Sequence, residues 1–137
     1  MSVEEARNEL IRAEKSLESA NVLLSNGFYE DAISRAYYAV LHAAKASLTL
    51  LKVNVESHRA VRRLFSRHLI KTGKIEDKYA KILGAEQDER LKADYDVLYS
   101  PDEEDAQECA SDAREFLSAI KNYLKEQGIN LDIEERS

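Results

Sequence analysis

Hydrophobic residues recur every three or four positions in the first segment of the chain. They are Val3, Ala6, Leu10, Ala13, Leu17, Ala20 and Leu24. This spacing places them on one face of an α-helix, as in a helix that packs against a core. Ser2 and Glu5 fit a capping box, and Asn26-Gly27 is a common end signal. We therefore predict a first helix over residues 3–26.

The second segment, residues 29–52, is apolar around most of its circumference. One helical face consists mostly of small side chains: Ala32, Ala36, Ala39, Ala43, Ala46 and Leu50. A second face carries larger ones: Ile33, Tyr37, Val40, Ala44, Leu48 and Leu51. A helix with two packing faces contacts neighbours on both sides. We expect this helix to be the central one.

Three further helices follow from the same periodicity. The pattern places them near residues 58–71, near residues 76–95, and from Pro101 to Gly128. Ser57 and Ser100 are the expected N-caps of the first and the last of these helices. Pro101 suits a first helical position, where no N–H is needed. Gly84 makes the middle helix the least regular, since it costs roughly 1 kcal/mol relative to Ala.

These helices together predict the fold class. The sequence contains no alternating run of strand length, no repeat and no low-complexity tract. Short connections between long helices favour antiparallel neighbours. We predict an all-α, antiparallel bundle of four to five helices that forms a single domain over residues 1–128. Residues 129–137 are expected to form a peripheral tail.

Composition excludes several classes of protein. Cys109 is the single cysteine, so an internal disulfide and a cysteine-based zinc site are excluded, and a reducing, cytoplasmic location is expected. No run approaches the ~20 apolar residues that span a bilayer. The sequence has no Gly-rich phosphate loop and no GxSxG or HExxH motif, and its three histidines lack zinc spacing. We predict neither a metal site nor a cofactor.

Charge is distributed unevenly along the chain. The net charge is -6, yet no acidic residue occurs between Glu56 and Glu76. That stretch holds six basic residues: Arg59, Arg62, Arg63, Arg67, Lys71 and Lys74. Such a local patch can bind the phosphates of a nucleotide or RNA. A solvated helix face paired with neighbouring acids, or a surface for an acidic protein, would have the same composition.

Two polar clusters lie on the predicted helices. On the central helix, four polar residues share one face: Arg35, Tyr38, His42 and Lys45. They form either a structural network or the wall of a ligand pocket, because polar groups on a mostly buried helix need partners. Near the end of the fourth helix stand Arg90, Asp94 and Tyr95. These form either a salt-bridge cluster or an anion-binding Arg beside a hydroxyl group.

Several segments together resemble a HEPN domain, most closely the small stand-alone prokaryotic branch. They are Ser34-Arg35-Ala36-Tyr37-Tyr38-Ala39, His42-Ala43-Ala44, His58-Arg59-Ala60-Val61, Lys71-Thr72-Gly73 and Arg90 with Ala93-Asp94-Tyr95-Asp96. The similarity covers roughly residues 5–125. It implies an antiparallel helical bundle that forms a homodimer. It also implies a minimal nucleotidyltransferase as the partner in a toxin–antitoxin pair.

Active members of the family are metal-independent endoribonucleases that use an Arg followed, after four to six residues, by a His. The matching stretch here is Arg90-x4-Tyr95, with Tyr in place of His. Arg63-x4-His68 has the spacing but lies one helix too early. A Tyr side chain, with a pKa near 10, is a poor general base at neutral pH.

The resemblance therefore leaves two hypotheses. In the first, the chain is a non-catalytic module that binds a nucleotide, an RNA or a nucleotidyltransferase. In the second, it is a weak or atypical ribonuclease that uses Arg90 and Tyr95, with Asp94 beside them. The missing motif His favours the first hypothesis.

Overall fold

The computed structural model describes residues 2–131, apart from the side chain of Ser2. The helices are α1 (Ser2–Ser25), α2 (Tyr29–Leu50), α3 (His58–Phe65), α4 (Lys78–Tyr95) and α5 (Glu103–Glu126). A π-helical turn over Ser66–Ile70 continues α3. No strand occurs between residues 2 and 131, so the predicted all-α fold is confirmed. The predicted Ser2 cap depends on a side chain outside the described residues.

Contacts between side chains give the directions of the helices. Ser34 of α2 contacts Asp94 of α4, and Tyr38 contacts Arg90. Residue numbers thus rise along α2 as they fall along α4, so the two helices are antiparallel. α1 and α2 are joined by only three residues and pack closely against each other. This arrangement agrees with the predicted antiparallel bundle.

α2 is the central helix, as predicted. It packs against each of the other four helices. Most of its buried side chains come from the two predicted faces: Ala32, Ile33, Ala36, Tyr37, Ala39, Val40, Ala43, Ala44, Ala46 and Leu48. Ser34, Leu41 and Ser47 are also buried and belong to neither face. Small residues let the neighbouring backbones approach closely, while the larger ones fill the core between helices. The apolar circumference of α2 is thus covered within a single chain.

The predicted beginning of the last helix is wrong by two residues. The N-cap is Asp102, whose side chain accepts a hydrogen bond of 2.9 Å from the Asp105 N–H. The Asp105 carboxylate accepts one of 3.0 Å from the Asp102 N–H in return. This reciprocal box satisfies two backbone donors at once, the N–H groups of Asp102 and Asp105. Pro101 is buried just before the helix.

The first residues of the predicted tail pack against the bundle. Ile129 and Leu131 are partly buried against the core. Arg7 Nε donates a hydrogen bond of 2.7 Å to the Asn130 carbonyl oxygen. Residues 132–137 of that tail lie outside the described residues, and the boundary of the domain at residue 128 stays a prediction. Among the helices of residues 2–131, none has the length and apolarity to cross a membrane.

Candidate functional site

Tyr38, in the middle of α2, connects two of the predicted clusters. The guanidinium carbon of Arg35, on the preceding turn, lies 4.6 Å from the centre of the Tyr38 ring. From α4, Arg90 Nη2 donates a hydrogen bond of 2.9 Å to the Tyr38 hydroxyl. Its guanidinium carbon lies 5.5 Å from the same ring centre. Two cations are therefore held around one aromatic ring, in cation–π geometry.

Arg90 is fixed in place by its neighbours. Its Nε lies 3.0 Å from Asp94 Oδ2, an ion pair without a well-aligned hydrogen bond from Nε. Asp94 in turn accepts a hydrogen bond from the Ser34 hydroxyl. Burial lowers the pKa of Arg90, but the hydrogen bond to Tyr38 and the charge of Asp94 raise it overall. The result is a permanent, oriented positive charge at the surface between α2 and α4.

Tyr95 completes the predicted cluster with Arg90 and Asp94. Its ring centre lies 5.8 Å from the Arg90 guanidinium carbon, and its side chain is 71% exposed. No hydrogen bond to the Tyr95 hydroxyl occurs among the described residues. The structure thus brings the three predicted residues together and leaves the Tyr95 hydroxyl open to solvent.

His58, at the first turn of α3, belongs to the same place and was not selected as a site residue from the sequence. Its ring centre lies 5.7 Å from that of Tyr37 and 5.9 Å from that of Tyr38. Burial lowers the pKa of His58, and the positive charge of Arg90 lowers it further. A neutral imidazole at neutral pH can accept a proton. In the sequence, His58 stood out only as part of the segment His58-Arg59-Ala60-Val61 of the family resemblance.

His42 and Lys45, the other half of the predicted α2 face, bind an acid on α1. His42 Nδ1 lies 2.8 Å from Glu9 Oε1, and Lys45 Nζ lies 3.5 Å from Glu9 Oε2. Burial raises the pKa of Glu9, but these two partners lower it overall. The structural-network alternative therefore describes Lys45 and His42 well. Arg35 and Tyr38, together with the His42 ring, line the open cavity described next.

A cavity of about 420 Å³ lies between α1 and α2 and is rich in cations. Its lining residues are Ile11, Arg12, Lys15, Ser16, Arg35, Tyr38 and His42. None of them is acidic, and within residues 2–131 Arg12, Lys15 and Arg35 form no ion pair. Arg12 and Lys15 were not predicted as site residues, because on the polar face of α1 they look like ordinary solvated charges. The cavity has the size and charge to hold a phosphate-bearing ligand.

The arginines of the predicted basic stretch also fall into two groups, one with partners on α4 and one that is exposed. Arg62 faces α4, where its Nη1 lies 3.4 Å from Gln87 Oε1 and 3.9 Å from Asp88 Oδ1. Arg59, Arg63 and Arg67 are exposed along α3 and its π-helical turn, and no acid of the described chain pairs with them. The solvated-face alternative with paired acids thus applies to Arg62. Phosphate binding by the other three stays a prediction.

Comparison with known proteins identifies relatives across most of the chain. The family profile described as "HEPN domain" matches residues 6–123. A protein of Methanocaldococcus jannaschii named "Putative toxin" is 39% identical over 114 residues, which cover 83% of this chain and 84% of that protein. A second protein of that name and organism is 31% identical, with 86% and 80% covered. A "UPF0332 protein" of Pyrococcus horikoshii is 44% identical over 89 residues, with 64% and 63% covered.

Proposed function

Since the chain belongs to the HEPN domain family, we propose that it is a toxin-type module that binds RNA or a nucleotide through the cavity between α1 and α2. The observation that carries this proposal is a set of cations, Arg12, Lys15 and Arg35, that line one cavity with Tyr38 and have no ion-pair partner within residues 2–131. The names of two relatives support the toxin class.

The lining of the cavity suits a nucleotide in particular. Cationic side chains without acidic partners are free to bind phosphate. The charge-assisted hydrogen bonds that they then form offset the cost of removing water from the cation. The Tyr38 ring and the Arg35 guanidinium plane offer surfaces on which a base can stack. Arg59, Arg63 and Arg67 on α3 would add non-specific contacts to a longer RNA backbone. The overall charge of -6 limits such binding to this part of the surface.

Fluorescence anisotropy with a labelled single-stranded RNA tests the proposal. The double variant Arg12→Glu, Arg35→Glu should weaken binding at least tenfold. It should also make the salt dependence shallower by about 0.7 per lost phosphate contact. The double variant Arg114→Glu, Lys125→Glu, which changes the charge equally at two exposed positions on α5, is the matched control and should bind less than twofold more weakly. Equal losses in both variants would exclude the cavity as the binding site.

Two partners belong to this proposal. The first is a second copy of the chain, since exposed apolar side chains follow Arg90 along the sequence: Leu91, Tyr95, Val97 and Leu98. A symmetric dimer on this surface would bring two Arg90 side chains to one cleft. Light scattering should then report about twice 15.6 kDa, and Leu98→Glu should give monomers. A wild-type monomer at high concentration would contradict the dimer.

The second partner is a minimal nucleotidyltransferase, which a toxin-type protein of this family would need as its neutralising protein. Co-expression with such a protein from a neighbouring gene should yield a stable complex on gel filtration. The complex should relieve any growth arrest that the chain causes when it is expressed alone. Separate elution of the two proteins would argue against the pairing.

A second candidate function, metal-independent cleavage of RNA, is favoured by the position of His58. Its imidazole lies against the Tyr38 ring that holds Arg90. In this candidate His58 takes the proton of a ribose 2′-hydroxyl, and the 2′-oxygen attacks phosphorus. The bond from phosphorus to the 5′-oxygen breaks, and Tyr95 gives its proton to that oxygen. Arg90 stabilises the charge on the phosphate, and a 2′,3′-cyclic phosphate remains.

A further inference from the structure

A second cavity, of about 180 Å³, lies between α4 and α5 and has the opposite charge. Its lining residues are Ala85, Glu86, Glu89, Asp105, Glu108, Cys109 and Asp112. Five of the seven carry a carboxyl group, and none carries a positive charge. Asp105 lies in the first turn of α5 and needs no ligand, since the helix dipole stabilises it. Glu86 differs from the other four acids, which are exposed or partly exposed, because it is buried.

Glu86 is only 2% exposed and its carboxyl group is incompletely paired. Cys109 of α5 hydrogen-bonds to the carboxyl, whereas Oε1 has no partner among the described residues. A buried acceptor without a donor costs about 1–3 kcal/mol. The cavity therefore contains a buried acceptor and a negative rim, and apart from the Cys109 thiol its lining side chains offer Oε1 no donor.

We propose that this cavity binds a single guanidinium or primary ammonium group, whose N–H donates to Glu86 Oε1. The rim carboxylates of Asp105, Glu108 and Asp112 supply the opposite charge, whereas Glu89 is already paired with Lys92 and Tyr99. A nitrogen cation fits better than a metal ion, since within residues 2–131 no three acidic, His or Cys side chains have a metal-binding arrangement. The volume is several times the ~30 Å³ share of a water molecule, so a small cationic group can enter.

Release of a proton is the expected signature of cation binding at Glu86. Burial raises the pKa of Glu86 to about 8, and the charges of Asp112, Glu89 and Glu108 add to the rise. The Cys109 thiol is held protonated, since burial and Glu86 raise its pKa. Burial also raises the pKa of Asp112. A cation next to Oε1 would lower the pKa of Glu86, so that binding at pH 7 releases close to one proton.

Calorimetry with methylguanidinium chloride tests this site. Titration at pH 7 in two buffers of different ionisation enthalpy should give saturable 1:1 binding in the millimolar range, with net proton release. Tetramethylammonium chloride, which has the same charge but no N–H donor, should give no saturable heat at equal ionic strength. Equal heats from the two salts would overturn the proposal.

Variants assign the binding to Glu86. Glu86→Gln should weaken methylguanidinium binding at least tenfold and abolish the proton release. Asp112→Asn, at the rim, should weaken binding about threefold and remains informative if the first variant folds poorly. Glu104→Gln removes an exposed carboxylate of α5 outside the cavity and should bind as the wild type does. Unchanged affinity in both cavity variants would place the cation elsewhere.

The same cationic group could come from a free amine or from a side chain of another protein. Agmatine and an N-acetyl, C-methylamide derivative of arginine distinguish these sources. Comparable affinity for both would indicate that the cavity admits an arginine of a polypeptide. Affinity for agmatine alone would indicate a small metabolite. Binding of neither compound would contradict the site.

Discussion

The Tyr38 hydroxyl accepts a hydrogen bond of 2.9 Å from Arg90 Nη2 and thereby links α2 to α4 at the candidate site. Tyr38→Phe keeps the ring, and with it the packing against Arg35 and His58, but removes this acceptor. The free energy of unfolding should fall by about 1 kcal/mol, the usual contribution of such a bond. Urea denaturation followed by circular dichroism measures this change.

Tyr29→Phe is the matched control for this variant. Tyr29 is also partly buried, and its hydroxyl forms no hydrogen bond within the described part of the chain. Its substitution should change the free energy of unfolding by less than about 0.3 kcal/mol. If both variants behave alike, the bond between Arg90 and Tyr38 does not contribute to stability.

Gly84 lies inside α4, and the Arg62 side chain covers it. A Cβ at residue 84 would come within 2.5 Å of Arg62 Nη2. Arg62 is half exposed and only loosely held by Gln87 and Asp88, so its flexible end can move aside. Gly84→Ala should then gain helix propensity of about 1 kcal/mol and lose little. We expect a net stabilisation of roughly 0.5 kcal/mol, measured as a higher midpoint of urea unfolding.

Arg62→Ala separates the two contributions. It should lower the free energy of unfolding by no more than about 0.5 kcal/mol, as expected for exposed ion pairs. A destabilised Gly84→Ala variant, combined with a strongly destabilised Arg62→Ala variant, would mean that the packing of Arg62 on α4 outweighs helix propensity.

Glu86 should make stability depend on pH. In the unfolded chain it ionises near pH 4.5, whereas in the folded protein burial raises its pKa to about 8. Between these values unfolding releases its proton, so the contribution of Glu86 is complete below pH 4.5 and is lost as the pH rises to about 8. The slope is at most about 1.4 kcal/mol per pH unit.

The comparison with Glu86→Gln isolates this effect from the histidines, which titrate in the same range. The difference in free energy of unfolding between variant and wild type should grow from pH 5 to pH 8. Chemical denaturation at each pH measures it. A difference that stays constant over this range would mean that Glu86 is ionised in the folded protein throughout.

The hydrophobic pattern was sufficient to predict the bundle but not the contacts between its helices. The positions of α1 and α2 could be predicted directly from the sequence. The spacing of their apolar residues is enough to show which face of each helix is buried. The cap at Asp102 was missed because Ser100 with Pro101 is an equally good local signal. Only the reciprocal hydrogen bonds with Asp105 decide between them.

The candidate site was harder to predict, because its residues come from different helices. The ring of His58 meets that of Tyr38 only through the way α3 packs on α2, which no spacing along the chain encodes. Arg12 and Lys15 likewise become part of a site only when α1 lies beside Arg35. Arg90, Asp94 and Tyr95 were found from sequence, because they are neighbours on one helix.

The ribonuclease candidate predicts slow cutting of RNA in the presence of EDTA. Arg90→Ala should abolish this cutting, since the guanidinium would stabilise the phosphate in the transition state. His58→Gln should lower the rate at least tenfold and remove the acidic limb of the pH profile. In the wild type that limb should lie below pH 6.5, because burial and Arg90 lower the pKa of His58. Tyr95→His should raise the rate near pH 7, since an imidazole transfers protons there.

Binding and folding controls decide between the two candidate functions. Arg63→Ala removes an exposed cation of α3 that is not among the contacts of Arg90 within the described residues, so it should weaken RNA binding slightly and leave the cleavage rate of bound RNA unchanged. Circular dichroism should confirm that Arg90→Ala stays helical despite losing its contacts with Tyr38 and Asp94. If neither the wild type nor Tyr95→His cuts RNA while both bind it, the ribonuclease candidate is excluded. RNA or nucleotide binding is then the remaining candidate function, in agreement with Tyr95 at the position where active family members have His.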